Sequence, residues 1–117
     1  MKCIQDYSFH DGKILSIFVS YDCVEILFEK WDCKQIKLYF EDYRKIKDSH
    51  SVGQDISELL ITSSNEILDE VITDILNGGG AKEEAVGLNS YSFINSWEES
   101  VIFEIVARNV KVEELIS

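Results

Sequence analysis

The 117-residue sequence predicts one α+β domain: a twisted antiparallel sheet of about six strands in βββ-α(α)-βββ order, with a helical segment packed on one face. Two observations carry this. Apolar residues alternate with period two in both outer parts of the chain, and between them the period shifts to that of an amphipathic helix. Proline is absent and no linker or internal repeat divides residues 1–117, so a single domain is expected.

Lys13 to Tyr21 reads K-I-L-S-I-F-V-S-Y, with Leu15, Ile17, Val19 and Tyr21 on one face, and is the first strand. Tyr21-Asp22-Cys23 leaves room only for a tight reversal before Val24, Ile26 and Phe28, which alternate with Cys23, Glu25 and Glu29. After a polar connector around Trp31-Asp32-Cys33, Ile36, Leu38 and Phe40 alternate with Gln35, Lys37, Tyr39 and Glu41, and the strand runs on toward Ile46. These three strands form a meander.

In the middle, Ile56, Leu59 and Leu60 have helical spacing, and Ile67, Leu68, Val71, Ile72, Ile75 and Leu76 fall on one stripe of a helix. Ser63 with Glu66 three residues on matches a capping box, and Asn77-Gly78 supplies the stop, because glycine adopts the left-handed conformation without a Cβ clash. Five β-branched residues between Ile67 and Ile75 pull toward strand, so 66–76 is assigned as helix on period against propensity. Residues 78–87 carry glycines and no apolar period, and form a loop. A second hairpin follows: Tyr91, Phe93 and Asn95 alternate with Ser92, Ile94 and Ser96, the chain turns over Trp97 to Ser100, and Val101, Phe103, Ile105 and Ala107 resume the alternation. Asn109 interrupts before Val110 and Val112, which suit a last edge strand blunted by Glu113 and Glu114.

Chemistry is constrained mainly by what is missing. Cys3, Cys23 and Cys33 form no C-x-x-C pair, and His10 and His50 stand at no ligand spacing from them, so the reading is no metal, no cofactor and buried reduced thiols. His10-Asp11 resembles the HD pair of metal-dependent phosphohydrolases, but the further His and Asp ligands that chemistry needs are absent. His10-Asp11-Gly12 is read as a turn into the first strand, its carboxylate accepting local backbone N–H groups. Gly78-Gly79-Gly80-Ala81-Lys82 lacks the order that cradles phosphates and follows a helix instead of opening one. No nucleophile and base form a recognisable signature, and the expectation is no enzyme. No apolar run approaches the ~18 residues that cross a bilayer, and no apolar signal core follows Met1-Lys2, so a cytoplasmic protein is expected.

Charge is the informative feature. Residues 1–47 carry eight basic and eight acidic side chains, whereas 48–117 carry three basic (Lys82, Arg108, Lys111) and 14 acidic, so the whole net charge of −11 lies after residue 47. Such a field repels phosphate backbones and anionic membranes, leaving neither nucleic acid nor membrane as an expected partner. On the helix, Glu66, Asp69, Glu70 and Asp74 have no Lys or Arg at i+3 or i+4. This is either a solvated acidic face or a docking surface for a basic protein. With Glu98 and Glu99 of the second hairpin and Trp97 beside them, these four are the candidate partner-binding residues.

The lead-in Phe9-His10-Asp11-Gly12-Lys13-Ile14, the strand Ile36-Lys37-Leu38-Tyr39-Phe40 and the late hairpin from Tyr91-Ser92-Phe93 to Val101-Ile102-Phe103-Glu104-Ile105 resemble small bacterial immunity-type proteins of polymorphic toxin systems. Their pattern contains an HD-x-x-I lead-in, an apolar-x-apolar-x-F strand and a closing acidic hairpin. The acidic helical segment at about 54–77 departs from it. The resemblance implies a cytoplasmic, non-catalytic protein that neutralises a cognate toxin. Two other readings stay open: a small enzyme with a carboxylate-lined pocket, and a homo-oligomeric structural protein pairing through an edge strand. The partner, the oligomeric state and the strand order are not fixed by the sequence.

Overall fold

A computed structural model describes residues 4–115. Its six strands, β1 (Gly12–Val19), β2 (Cys23–Glu29), β3 (Gln35–Asp48), β4 (Asp55–Thr62), β5 (Asn89–Asn95) and β6 (Val101–Glu114), are all antiparallel. They close into a barrel in the order β1-β2-β3-β6-β5-β4. One α-helix, α1 (Glu66–Asn77), packs on the outside among the described residues. The fold is α+β with six antiparallel strands and a helix against the sheet, as the sequence implies. The element order is ββββ-α-ββ, and the sheet is a closed barrel instead of an open layer.

Both differences have a physical origin in broken periodicity. Residues 55–62 are strand, not helix. A register shift between Ile56 and Glu58 against β5 sends Ile56 into the core and then, past the bulge, Leu59 and Ile61. The resulting i, i+3 spacing imitates a helical one. The same device acts in β1, where a shift between Ile14 and Ser16 buries Ile14 and half-buries Ile17 while Val19 and Tyr21 face solvent. The inward face of β1 is thus set by Ile14 and not by Leu15. At the other end of the chain Asn109 interrupts nothing: it pairs with Glu41, and β6 runs unbroken to Glu114 along β3.

The core is the barrel interior. Val24, Ile26 and Phe28 of β2 and Ile36, Leu38 and Phe40 of β3 point inward with perfect alternation. Phe93 and Phe103 complete it, and Phe9, just before β1, sets its ring against Phe28 and Phe93 at centroid distances of 5.0 and 5.9 Å. The connections at 49–54 and 96–100 come together where the barrel closes beside the start of β1: Gly53 N–H donates to Ile14 O at 2.8 Å and Ser96 N–H to Asp55 O at 3.0 Å.

Helix α1 begins at Asn65, not at Ser63. The turn before it is occupied with itself: Ser64 N–H donates to Thr62 Oγ1, and the Thr62 hydroxyl donates to Ser64 O. Asn65 Oδ1 accepts from Leu68 N–H at 3.0 Å, while its amide donates to Ser90 Oγ at 2.8 Å, tying the helix start to β5. The left-handed residue that ends the helix is Gly79 (φ 85°) instead of Gly78, with Gly79 N–H on Leu76 O and Gly80 N–H on Ile75 O. Asn65→Ala should cost about 1–2 kcal/mol, since it removes the cap and leaves the buried Ser90 hydroxyl without this partner. A denaturation midpoint equal to the parent's would show that the cap is redundant.

Candidate functional site

Lys45 and Lys47 are two apart in β3 and so share its outward face, and Val106 of β6 pairs with Lys45 on that face. Helix α1 docks here through Ile67, Leu68 and Val71, which are buried with Val106 and Leu88. Docking carries Glu70 onto the lysines: its Oε2 lies 2.7 Å from Lys45 Nζ and 3.5 Å from Lys47 Nζ. The hydrogen bond from Lys45 holds the Glu70 carboxyl below its usual range, and Glu70 in turn raises the Lys45 ammonium. The four helix carboxylates are therefore not all unpaired. Inspection of i+3 and i+4 positions overlooks Lys45 because it comes from another element, 25 positions earlier.

Glu66, Asp69 and Asp74 are exposed, and none has a cation within 4 Å among the described residues. Glu98, Glu99 and Trp97 sit elsewhere, on the β5–β6 connection at a barrel end. There Asn95 Oδ1 accepts from the N–H groups of Glu98 and Ser100 at 3.3 and 3.1 Å, and Glu99 takes φ 51°. Trp97 is 84% exposed, whereas Tyr91, earlier in the same hairpin, is buried. The seven candidate residues thus fall into two places, a helix face and a hairpin tip.

Behind α1 a 3-10 segment, Lys82–Ala85, is fastened by Arg108 of β6. The Arg108 guanidinium donates to the carbonyls of Glu84 and Val86, and its Nε donates to Asp42 Oδ2 at 2.7 Å. That bond, with Arg44 at 3.4 Å, holds the Asp42 carboxyl below its ordinary range. Because Asp42 and Glu70 are both lowered on folding, both contacts favour the fold above the ordinary carboxylate range and weaken as pH falls through it. Between the helix and this segment lies an apolar groove of about 350 Å³, lined by Ile72, Ile75, Leu76, Ala85 and Val86. Of the predicted apolar stripe, Ile72 and Ile75 pack partly against the helix–sheet cluster, and Leu76 at its end is exposed.

A larger cleft of about 590 Å³ follows β6 beyond the reach of β5, whose pairing stops at Ala107. Its walls include Ile61, Tyr91, Val110 and Val112, and Glu113 is its one acidic lining residue. Burial raises the Tyr91 phenol. No carboxylate pair converges in either space, and among the described residues no group of three or more His, Cys, Asp or Glu is placed to hold a metal ion. The cysteines differ from the expected buried thiols: Cys33 is exposed at φ 67°, and Cys23 is half-buried with its thiol raised chiefly by burial. Cys3 lies outside the described residues. The His10-Asp11 turn forms, with Asp11 at φ 62°, but the Asp11 carboxylate faces the His10 ring at 3.4 Å instead of backbone N–H groups.

No family model matches this chain, and neither a curated protein nor a solved structure matches it. No helix among the described residues is long and apolar enough to cross a membrane.

Proposed function

We propose that the protein is a non-catalytic binding module whose acidic helix face meets a basic protein partner, in the manner of an immunity-type protein that neutralises a cognate toxin. The supporting observation is the state of Glu66, Asp69 and Asp74. They stand exposed on one helix without ion pairs, while the neighbouring cations Lys45, Lys47 and Arg108 are engaged by Glu70 and Asp42. A field of this kind accelerates association over a Debye length of roughly 8 Å at physiological salt. Reversing the three carboxylates to Lys, with Glu70 kept, should lower the association rate by about tenfold or more and flatten its salt dependence. Folding should survive, because exposed substitutions usually change stability by less than ~0.5 kcal/mol each. Surface-plasmon kinetics against the product of an adjacent toxin gene, at two salt concentrations, measures this. Equal rates and equal salt slopes would reduce the face to a solvated surface. A homo-oligomeric structural role is the second reading, favoured by the edge of β6 left unpaired by β5 after Ala107; sedimentation as a dimer would support it over the first.

A further inference from the structure

The apolar stripe of α1 is covered only in part. Ile67, Leu68 and Val71 are buried with Val106 and Leu88, but farther along the stripe Ile72 and Ile75 are only partly buried against that cluster and Leu76 is exposed. Leu76 remains 43% exposed, and Val86 across the groove 67%. In an isolated helix this would be an accident of composition. Here the facing wall is held in place by contacts that owe nothing to the groove's apolar lining. Arg108 fixes the carbonyls of Glu84 and Val86, and the helix terminus turns sharply enough at Gly79 and Gly80 to bring that segment back alongside. A Cβ at Gly80 would come within 2.7 Å of Ile75 Cγ2 and 2.9 Å of Glu84 Oε2, so a side chain there would disturb both walls. The groove is preformed, which lowers the ordering cost of binding.

The carboxylates identify its occupant. Asp69 precedes Ile72 by three positions and Leu76 by seven, on the same side of the helix. Asp74 lies on the other side of the helix, toward Arg44 and Lys45, whereas Glu83 and Glu84 precede Ala85 on the facing wall of the groove. Between residues 65 and 87 the sequence offers one cation, Lys82. At this groove the acidic half of a second copy would meet like charge, and so would an anionic lipid surface. We infer that this groove anchors a basic amphipathic segment of a partner protein, its apolar side chains inserted between Leu76 and Val86 and its Lys or Arg residues facing Asp69, Glu83 and Glu84. The inference rests on the acidic-face reading above and adds to it the place where affinity resides. Long-range charge supplies encounter, and a desolvated apolar anchor supplies residence.

The test uses the whole protein and two synthetic Lys/Leu peptides of equal composition, one with leucines at i, i+3, i+4 and i+7, the other scrambled so that no stripe forms. In calorimetric and NMR titrations the striped peptide should bind at least tenfold more tightly, with the largest amide shifts at 72–76 and 84–87. Leu76→Ser with Val86→Ser should abolish that preference while leaving weak, salt-sensitive binding of both peptides. Val86→Glu alone, at a position that is mostly solvent-exposed, should do the same if the double variant fails to fold. Equal binding of the two peptides to the parent, or a preference that survives in the groove variants, overturns the inference. In that case, loss of binding on Asp69→Lys with Asp74→Lys would leave the acidic-face reading standing alone. Failure of either peptide to bind at low salt would overturn both.

Discussion

Phe93→Ala should lower the folding free energy by about 3–5 kcal/mol, the range for emptying a fully buried aromatic site. Phe93 has no exposed surface, and its ring centroid lies 5.9 Å from that of Phe9, 6.1 Å from Phe28 and 6.0 Å from Phe103. These four rings come from β5, the segment before β1, β2 and β6, so one truncation loosens contacts that join distant parts of the chain. The surrounding rings, Phe9 and Phe103 edge to face with Phe93 and Phe28 tilted against it, cannot slide in to fill the void without losing their own neighbours. Urea denaturation should show a lower midpoint at unchanged slope. A fall of less than about 1 kcal/mol would mean that the cluster is not the centre of the core.

Gly12→Ala should be nearly as damaging, for the opposite reason. Gly12 begins β1 where that strand touches both β2 and β4, and the barrel is closed on the β4 side by two residue pairs, Gly12 with Ile56 and Lys13 with Asp55. An added Cβ would lie 2.4 Å from Phe28 Cζ and 2.6 Å from Glu29 O. The second of these is backbone and cannot rotate away, so β1 must shift. Overpacking of this type costs about 1–3 kcal/mol, and we expect the upper part of that range. Hydrogen exchange locates the damage: the Asp11 amide, which donates to Ile56 O at 2.9 Å, should lose protection before the β2–β3 amides do. Unchanged protection at Asp11 would show that closure tolerates a side chain at this position.

The contrast between elements explains what could be seen in the sequence. β2 and the first half of β3 are legible to the residue because every inward position is apolar and no bulge intervenes. α1 is legible because its period survives its β-branched content. β1 and β4 are not, since a bulge converts period two into an i, i+3 spacing. Closure is invisible for a related reason: it depends on the missing side chain of Gly12 and on strand stagger, and neither leaves a hydrophobic pattern. For the site, the exposure of Glu66, Asp69 and Asp74 follows from helical phase, which sequence supplies. The pairing of Glu70 with Lys45 and the facing of Leu76 by Val86 follow from docking and from the Arg108 anchor, both long-range. The backbone of the Glu98-Glu99 tip is organised by Asn95, whose position at the end of an alternating run gives it the appearance of an ordinary strand residue.

The seam between β3 and β6 governs how this chain acquires its structure in time. It is the longest pairing in the barrel, running from Ile36 with Glu114 to Asp48 with Phe103, and it joins the third strand to the last. The β1–β2 and β2–β3 hairpins are local and form on the microsecond scale. Their outer edge along β3 has no neighbour until β6 arrives, with β4, α1 and β5 lying between the two in the chain. High sequence separation of the contacts that matter most places folding among the slower single domains, in milliseconds to seconds. During that interval an apolar three-stranded meander presents an open edge, and Lys45 and Lys47 wait without Glu70. A ribosome making this chain must therefore release nearly all of it before the barrel closes, and the meander is the species that a chaperone would meet.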